Sequence, residues 1–184
     1  MSVMRFVGNG LAIASVLTVW GCSDPAAPAP QGAFNVTFGN SVGTGVTCPA
    51  MQPSQLMVGA VGSAQHASVI DGEDGVAVTC TVSKSGAGFR ASGSIVKGTS
   101  RFSLAPVTVG EGNSNQGRVS VAGANTAGKS YGPTAETLCN FQLIDGAEGF
   151  IWLAFECPLV ISGSSDNEQC SLYNGYLVFE NCET

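Results

Sequence analysis

From Phe34 onward the chain alternates apolar and polar residues in short runs. Phe34-Asn35-Val36-Thr37-Phe38 is the first, with three apolar side chains on one parity. Val76, Val78, Cys80 and Val82 alternate with Ala77, Thr79 and Thr81, which places Cys80 on the apolar face of a strand. Phe89 to Val96, Phe102 to Val109 and Arg118 to Ala122 repeat the theme. Clusters rich in Gly, Asn, Asp and Ser separate them: Asp71 to Gly75, Ser85 to Gly88 and Glu111 to Gly117. Such residues tolerate positive φ or bond their own backbone, so they mark turns. No stretch of ordinary helix length shows a 3.6-residue period after the N-terminal segment. Many short strands spaced by turns predict an all-β fold, an antiparallel two-sheet sandwich or jelly roll.

Two hairpins stand out. Cys139 to Ile144 and Phe150 to Cys157 flank Asp145-Gly146-Ala147-Glu148-Gly149. Parity puts Cys139, Phe141 and Leu143 on one face, and Ile151, Leu153, Phe155 and Cys157 on one face of the partner strand. The second hairpin is predicted to turn at Asn174-Gly175, the strongest short hairpin signal, with Tyr173 opposite Tyr176 and Leu172 opposite Leu177.

The N-terminal segment follows other rules. A charge at Arg5 precedes an apolar run from Leu11 to Trp20, which ends in Val19-Trp20-Gly21-Cys22. The run is too short for a membrane-spanning helix and has the layout of an export signal. Its end resembles the lipobox of bacterial lipoproteins, with Val three residues before the Cys and a small residue directly before it. The resemblance covers these first two dozen residues. It implies that Cys22 takes a diacylglycerol, that cleavage makes it residue one, and that acyl chains such as palmitate hold the protein to a membrane. Ser23 is permissive for the outer membrane under the family's sorting rule. Residues 1–21 then read as a cleaved signal, 22–33 as a lipidated Pro/Ala-rich tether and 34–184 as one all-β domain. At about 3 Å per residue the tether reaches some 30 Å.

Seven cysteines include Cys22, which leaves an even six: Cys48, Cys80, Cys139, Cys157, Cys170 and Cys182. In an exported domain six thiols imply up to three disulfides. Spacing alone does not choose the pairing. The first hairpin brings Cys139 and Cys157 near each other, Cys170 and Cys182 fall out of register in the second, and Cys48–Cys80 is the expectation for the N-terminal pair. The absence of C-x-x-C pairs argues against zinc.

Charge narrows the partners. The chain carries 7 Lys+Arg against 13 Asp+Glu, and only 11% of its residues are charged. Loss of the signal would take away Arg5 and no acid, moving the formal charge from −6 to −7. An acidic, sparsely charged surface favours neither nucleic acid nor anionic lipid headgroups, so the membrane is expected as a partner only through the N-terminal lipid, and a protein or small-molecule partner is left open.

Several motifs carry chemistry on paper. Gly123 to Ser130 matches the phosphate-loop pattern G-x-x-x-x-G-K-[ST], but Tyr131-Gly132-Pro133 cannot continue into the helix that such a loop needs, so a turn between strands is expected. Gly128 to Gly132 fits the G-x-S-x-G elbow around Ser130, yet the lone His66 precedes it and the helix is again missing. Asp71, Glu73 and Asp74, and Glu111, Asn113 and Asn115, offer oxygens to calcium without the EF-hand spacing, and solvated turns are expected. No cofactor and no catalytic residue is predicted. Trp152 is the candidate binding residue: an anchor if its face is open, part of the core if a second sheet covers it. The reading that follows is a binding or structural module. The alternatives are a hydrolase of envelope glycans or peptides with Glu156 or Asp145 as its acids, and a carrier of a small apolar ligand within a hollow interior.

Overall fold

The computed structural model describes residues 26–40, 48–49, 54–111, 115–163 and 165–184. The apolar leader, Cys22 and Asn113 lie outside them. Fourteen strands follow one another: β1 (Gln31–Asn40), β2 (Gln55–Val58), β3 (Ala60–Val61), β4 (His66–Ala67), β5 (Val69–Ile70), β6 (Val76–Ser85), β7 (Gly88–Lys97), β8 (Ser100–Gly110), β9 (Gln116–Gly117), β10 (Val119–Ala122), β11 (Tyr131–Gly132), β12 (Cys139–Ala147), β13 (Phe150–Ser162) and β14 (Ser165–Glu180). Among the described residues the only helical element is a 3-10 turn at Ala124–Thr126. Among the described residues twelve strands form one antiparallel sheet along the path β2-β1-β14-β13-β11-β10-β8-β7-β6, with β12 beside β13, β9 beside β12 and β5 beside β1. β3 and β4 make a separate two-stranded sheet. The all-β, sandwich-like architecture expected from the alternation is present.

The large sheet curls until its two halves face each other. Phe34 of β1 stacks on Phe102 of β8 with ring centroids 5.1 Å apart, and Phe102 lies 5.6 Å from Phe155 of β13. Phe141 meets Phe155 at 5.8 Å, and Phe38 meets Tyr131 edge-on at 5.7 Å. Phe141 and Phe155 are cross-strand neighbours, but Phe34, Phe102 and Phe155 come from strands far apart in the sheet order. Each fully buried aromatic or aliphatic side chain contributes roughly 1.5–3 kcal/mol relative to exposure, so this packing is what holds the two halves together. The interior between the halves is lined by Phe34, Phe102, Phe141 and Phe155 among other buried apolar side chains.

The first hairpin forms where parity places it. Asn140 faces Glu156, Phe141 faces Phe155 and Ala147 faces Phe150, so the turn is the two residues Glu148-Gly149. Gly149 takes φ 74, a left-handed conformation that a side chain resists. The second hairpin does not form. Asn174 and Gly175 lie within the single strand β14, which pairs with β1 on one side and β13 on the other. Folding back at Asn174 would forfeit hydrogen bonds along both edges, whereas one extra residue costs little. The Asn-Gly pair is therefore spent on a β-bulge: Tyr173 to Tyr176 spans three steps where Thr37 to Asn35 spans two, and Asn174 takes φ 48.

β1 also begins earlier than the alternation indicates. Gln31, Gly32 and Ala33 are in the strand, and Gly32, Ala33 and Phe34 are all buried. Consecutive strand residues point to opposite faces, so both faces are covered here. The β3–β4 hairpin lies on the outer one, where Ala33, Val61 and Val178 form a small apolar cluster with Trp152, Phe150 and Tyr176 against it.

All six cysteines in the described residues are bridged. Cys139–Cys157 forms across the hairpin as expected. The expected Cys48–Cys80 pair does not: Cys48 bonds Cys170, and Cys80 bonds Cys182. The topology explains the difference. Sheet curling brings the chain after β14 against the free edge of β6, where Val82 N donates to Glu183 O at 2.7 Å and Glu183 N donates to Cys80 O at 3.1 Å. Such closure leaves no trace in local sequence.

Candidate functional site

The inward parity of β12, β13 and β14 fills the core, and the outward parity builds a cleft. On β12 the outward residues are Asn140 and Gln142, both exposed, and on β13 they are Ala154 and Glu156. Register aligns Asn140 with Glu156, Gln142 with Ala154, and Ala154 with Tyr176 of β14. Small Ala154 between Gln142 and Tyr176 leaves a depression. The bulge then turns two consecutive side chains outward, exposed Tyr173 and exposed Asn174, before Gly175 dips inward. The result is an open cavity of about 290 Å³ lined by Asn140, Gln142, Glu156, Asn174 and Tyr176 over Ala154 and Gly175.

Glycine at 175 is a close-approach requirement. A Cβ there would sit 2.6 Å from the Phe155 carbonyl oxygen and 2.7 Å from its ring. Gln116 Nε2 donates to Asn140 Oδ1 at 3.3 Å, a bond that uses the Asn140 oxygen and not its amide N–H groups. Among the described residues Gln142, Glu156, Asn174 and Tyr176 make no side-chain hydrogen bond or ion pair. Tyr176 is nevertheless held in place, because its ring packs on the Ala33–Val61–Val178 cluster. The arrangement supplies amide donors and acceptors, one carboxylate and a fixed phenol ring: groups that bind a polar ligand in a set orientation.

Trp152 stands next to this cleft but is half-buried by the β3–β4 hairpin. Its Nε1 donates to Gly62 O at 3.1 Å, and the His66 ring meets it edge-on at 4.8 Å. The indole therefore seats the hairpin, and the open contact surface is the cleft beside it. His66 Nε2 lies 3.3 Å from Glu180 Oε1, and Ser68 Oγ donates to Glu180 Oε2 at 2.5 Å. Serine and histidine both bind the carboxylate rather than each other, so this trio lacks the Ser–His contact that would activate a hydroxyl. Of the two acids named for a hydrolase, Glu156 lines the cleft and Asp145 does not: Asp145 Oδ1 accepts from Gly146 N at 2.8 Å.

The phosphate-loop match folds as a turn. Gly123 N donates to Thr126 Oγ1 at 3.0 Å, Thr126 Oγ1 donates to Lys129 O at 2.7 Å, and the chain passes directly into β11. The lysine is committed to an ion pair with Glu168. That hydrogen bond is the main cause holding the Glu168 carboxyl below its ordinary range. Tyr131 OH donates to the same carboxylate at 3.3 Å, and its phenol is pushed up to about 12, first by burial and then by Glu168. Ser130 Oγ lies 2.5 Å from Ser120 Oγ. Ser120 aligns with Ser103, Ser103 with Ser94, and Ser94 with Thr79, a hydroxyl row across four strands. A second open groove of about 450 Å³ lies over that row, with Arg101 at its border.

The acidic turns serve the backbone. Asp71 Oδ1 accepts from Val78 N at 2.8 Å, and Glu73 O accepts from Val76 N at 2.8 Å. Asn115 Oδ1 accepts from Gly110 N at 2.9 Å. Among the described residues no group of three or more His, Cys, Asp or Glu side chains is placed to hold a metal ion, and no helix there is long and apolar enough to cross a membrane.

Comparison with protein-family models, curated proteins and solved structures finds no match for this chain. The class that its own geometry defines is a disulfide-braced, antiparallel β domain with an open hydrogen-bonding cleft on one outer face.

Proposed function

We propose that the protein is a lipid-anchored module of the bacterial cell envelope, held by Cys22, that binds a ligand in the Glu156–Tyr176 cleft without transforming it. The observation that carries the address is the set of three disulfides, which uses every cysteine except the one in the lipobox-like segment. Such bonds persist in oxidising compartments. Ser23 is permissive for the outer membrane under the sorting rule of the family that the segment resembles. The cleft supports the binding half. Its unpartnered groups suit recognition, and a glycosidase would need a second carboxylate about 5–10 Å from Glu156.

Intact mass of the protein from native membranes, before and after reduction and thiol labelling, tests the address. The expected result is a chain starting at Cys22 with a lipid-sized excess, and six thiols that label only after reduction. A lipid-free chain, or thiols already free, overturns it.

A further inference from the structure

The chemistry of the cleft points to its ligand, and resting on the binding reading above, we infer that it takes one ring of a neutral saccharide. The first ground is the pattern of groups. Asn140, Gln142 and Asn174 present planar amides and Glu156 a carboxylate, all on outward strand positions of fixed spacing. Paired donors and acceptors of this kind match neighbouring hydroxyls, each of which both gives and takes a hydrogen bond. The second is Tyr176, an aromatic face braced from behind by Ala33, Val61 and Val178. A ring held in place offers contact area at little entropic cost, and its hydroxyl gives a polar tip.

Charge and size exclude other chemistries. No lysine or arginine lines the cleft, and Glu156 repels anions, so phosphate and sulfate groups are disfavoured. A volume of about 290 Å³ is at the low end for small-molecule sites, which run from roughly 300 to 1,000 Å³. That suits a single ring, and the open mouth leaves room for a chain to continue on either side. An extended peptide would add to a free strand edge or insert an apolar anchor. At the floor, Ala154 and Gly175 belong to β13 and β14, which are paired on both sides, and β12 carries β9 at Cys139 and Asn140, so among the described residues no free edge runs through the centre of the cleft and no apolar pocket opens there. The bulge is central to this assignment, because it puts Asn174 on the outer face beside Tyr176.

The test is amide chemical-shift mapping of the oxidised mature protein against three probes: chitotriose, maltotriose and the peptide Ala-Ala-Ala. A saccharide that shifts Gln142, Glu156, Asn174 and Tyr176, with affinity lowered about tenfold by Gln142→Ala and again by Tyr176→Ala, supports the inference. Tyr176→Phe keeps the packed ring and is expected to retain most of the affinity, which separates lost stacking from lost folding. Shifts with the peptide and none with either sugar overturn the saccharide assignment and leave the binding reading standing. No shift with any probe overturns both for this cleft. A sugar that binds and is shortened, read from its own spectrum, upholds the saccharide assignment and overturns the non-catalytic reading.

Discussion

Replacing Cys80 and Cys182 together with alanine should lower stability by about 4 kcal/mol, and the structure fixes why the figure is not larger. The bridge closes 102 residues, which in the chain-entropy account is worth about 4.7 kcal/mol when it is the sole link. Here Cys48–Cys170 already constrains the unfolded chain. The short way from Cys80 to Cys182 runs back roughly 32 residues to Cys48, across that bridge, and on roughly 12 residues, a loop of about 44. The same relation then gives about 4 kcal/mol. Urea unfolding of the double variant, with midpoint and slope fitted together, reads the loss. The slope should rise as well, because the unfolded chain expands. Removing Cys139–Cys157, which closes only 18 residues, should cost about 3 kcal/mol from loop closure, plus a cavity term because both residues are fully buried. A Cys80–Cys182 loss below about 1 kcal/mol with an unchanged slope would show that the bridge does not act through the unfolded chain, and would refute the reasoning.

Other expectations follow from single contacts. Gly175→Ala should destabilise by about 1–3 kcal/mol, because the new methyl meets the Phe155 carbonyl. Gly62→Ala, with no atom within 4 Å of its Cβ, is the matched control in the same thermal melts. Tyr131 gives a pH dependence. Below its ordinary value of 10.0 the phenol is neutral in both folded and unfolded chains, so its contribution is fully present. As pH rises toward about 12 only the unfolded chain ionises, and stability falls by at most roughly 2–3 kcal/mol. Urea midpoints at about pH 9 and about pH 11 should converge in Tyr131→Phe, and an undiminished drop there would place the titration elsewhere. Trp152→Phe should cost about 1 kcal/mol through loss of the bond to Gly62 O, with hydrogen exchange rising across the β3–β4 hairpin.

What the sequence reveals follows the range of the interactions. Alternation at Val76 to Val82, at Phe102 to Val109 and through the Cys139–Cys157 hairpin is local, and those strands and that disulfide form as expected. The pairs Cys48–Cys170 and Cys80–Cys182 depend on a sheet that closes over more than a hundred residues, which no spacing rule sees. Half of the cleft was legible. Asn140, Gln142 and Glu156 hold the outward parity of the hairpin, a polar stripe opposite a core stripe. Asn174 and Tyr176 were not, because Asn-Gly signals a turn unless both flanking segments already have partners. Trp152 is the one Trp left once the predicted signal is set aside, and parity puts it outward, but the hairpin that covers it is not local: its partner Gly62 lies 90 residues upstream.

The pairing of β1 with β14 has a consequence for the order of events. Among the described residues the first strand, β1, finds its main partner in the last, β14, and two bridges join residues 122 and 102 apart. Until β14 is made, Phe34, Val36 and Phe38 have only the short strand β2 beside them. Chains dominated by such distant pairings fold slowly and leave apolar edges open meanwhile. β1 therefore keeps one edge open until β14 pairs with it, so that half of the sheet is completed late, whereas the β6–β7–β8 meander is local and does not wait for it.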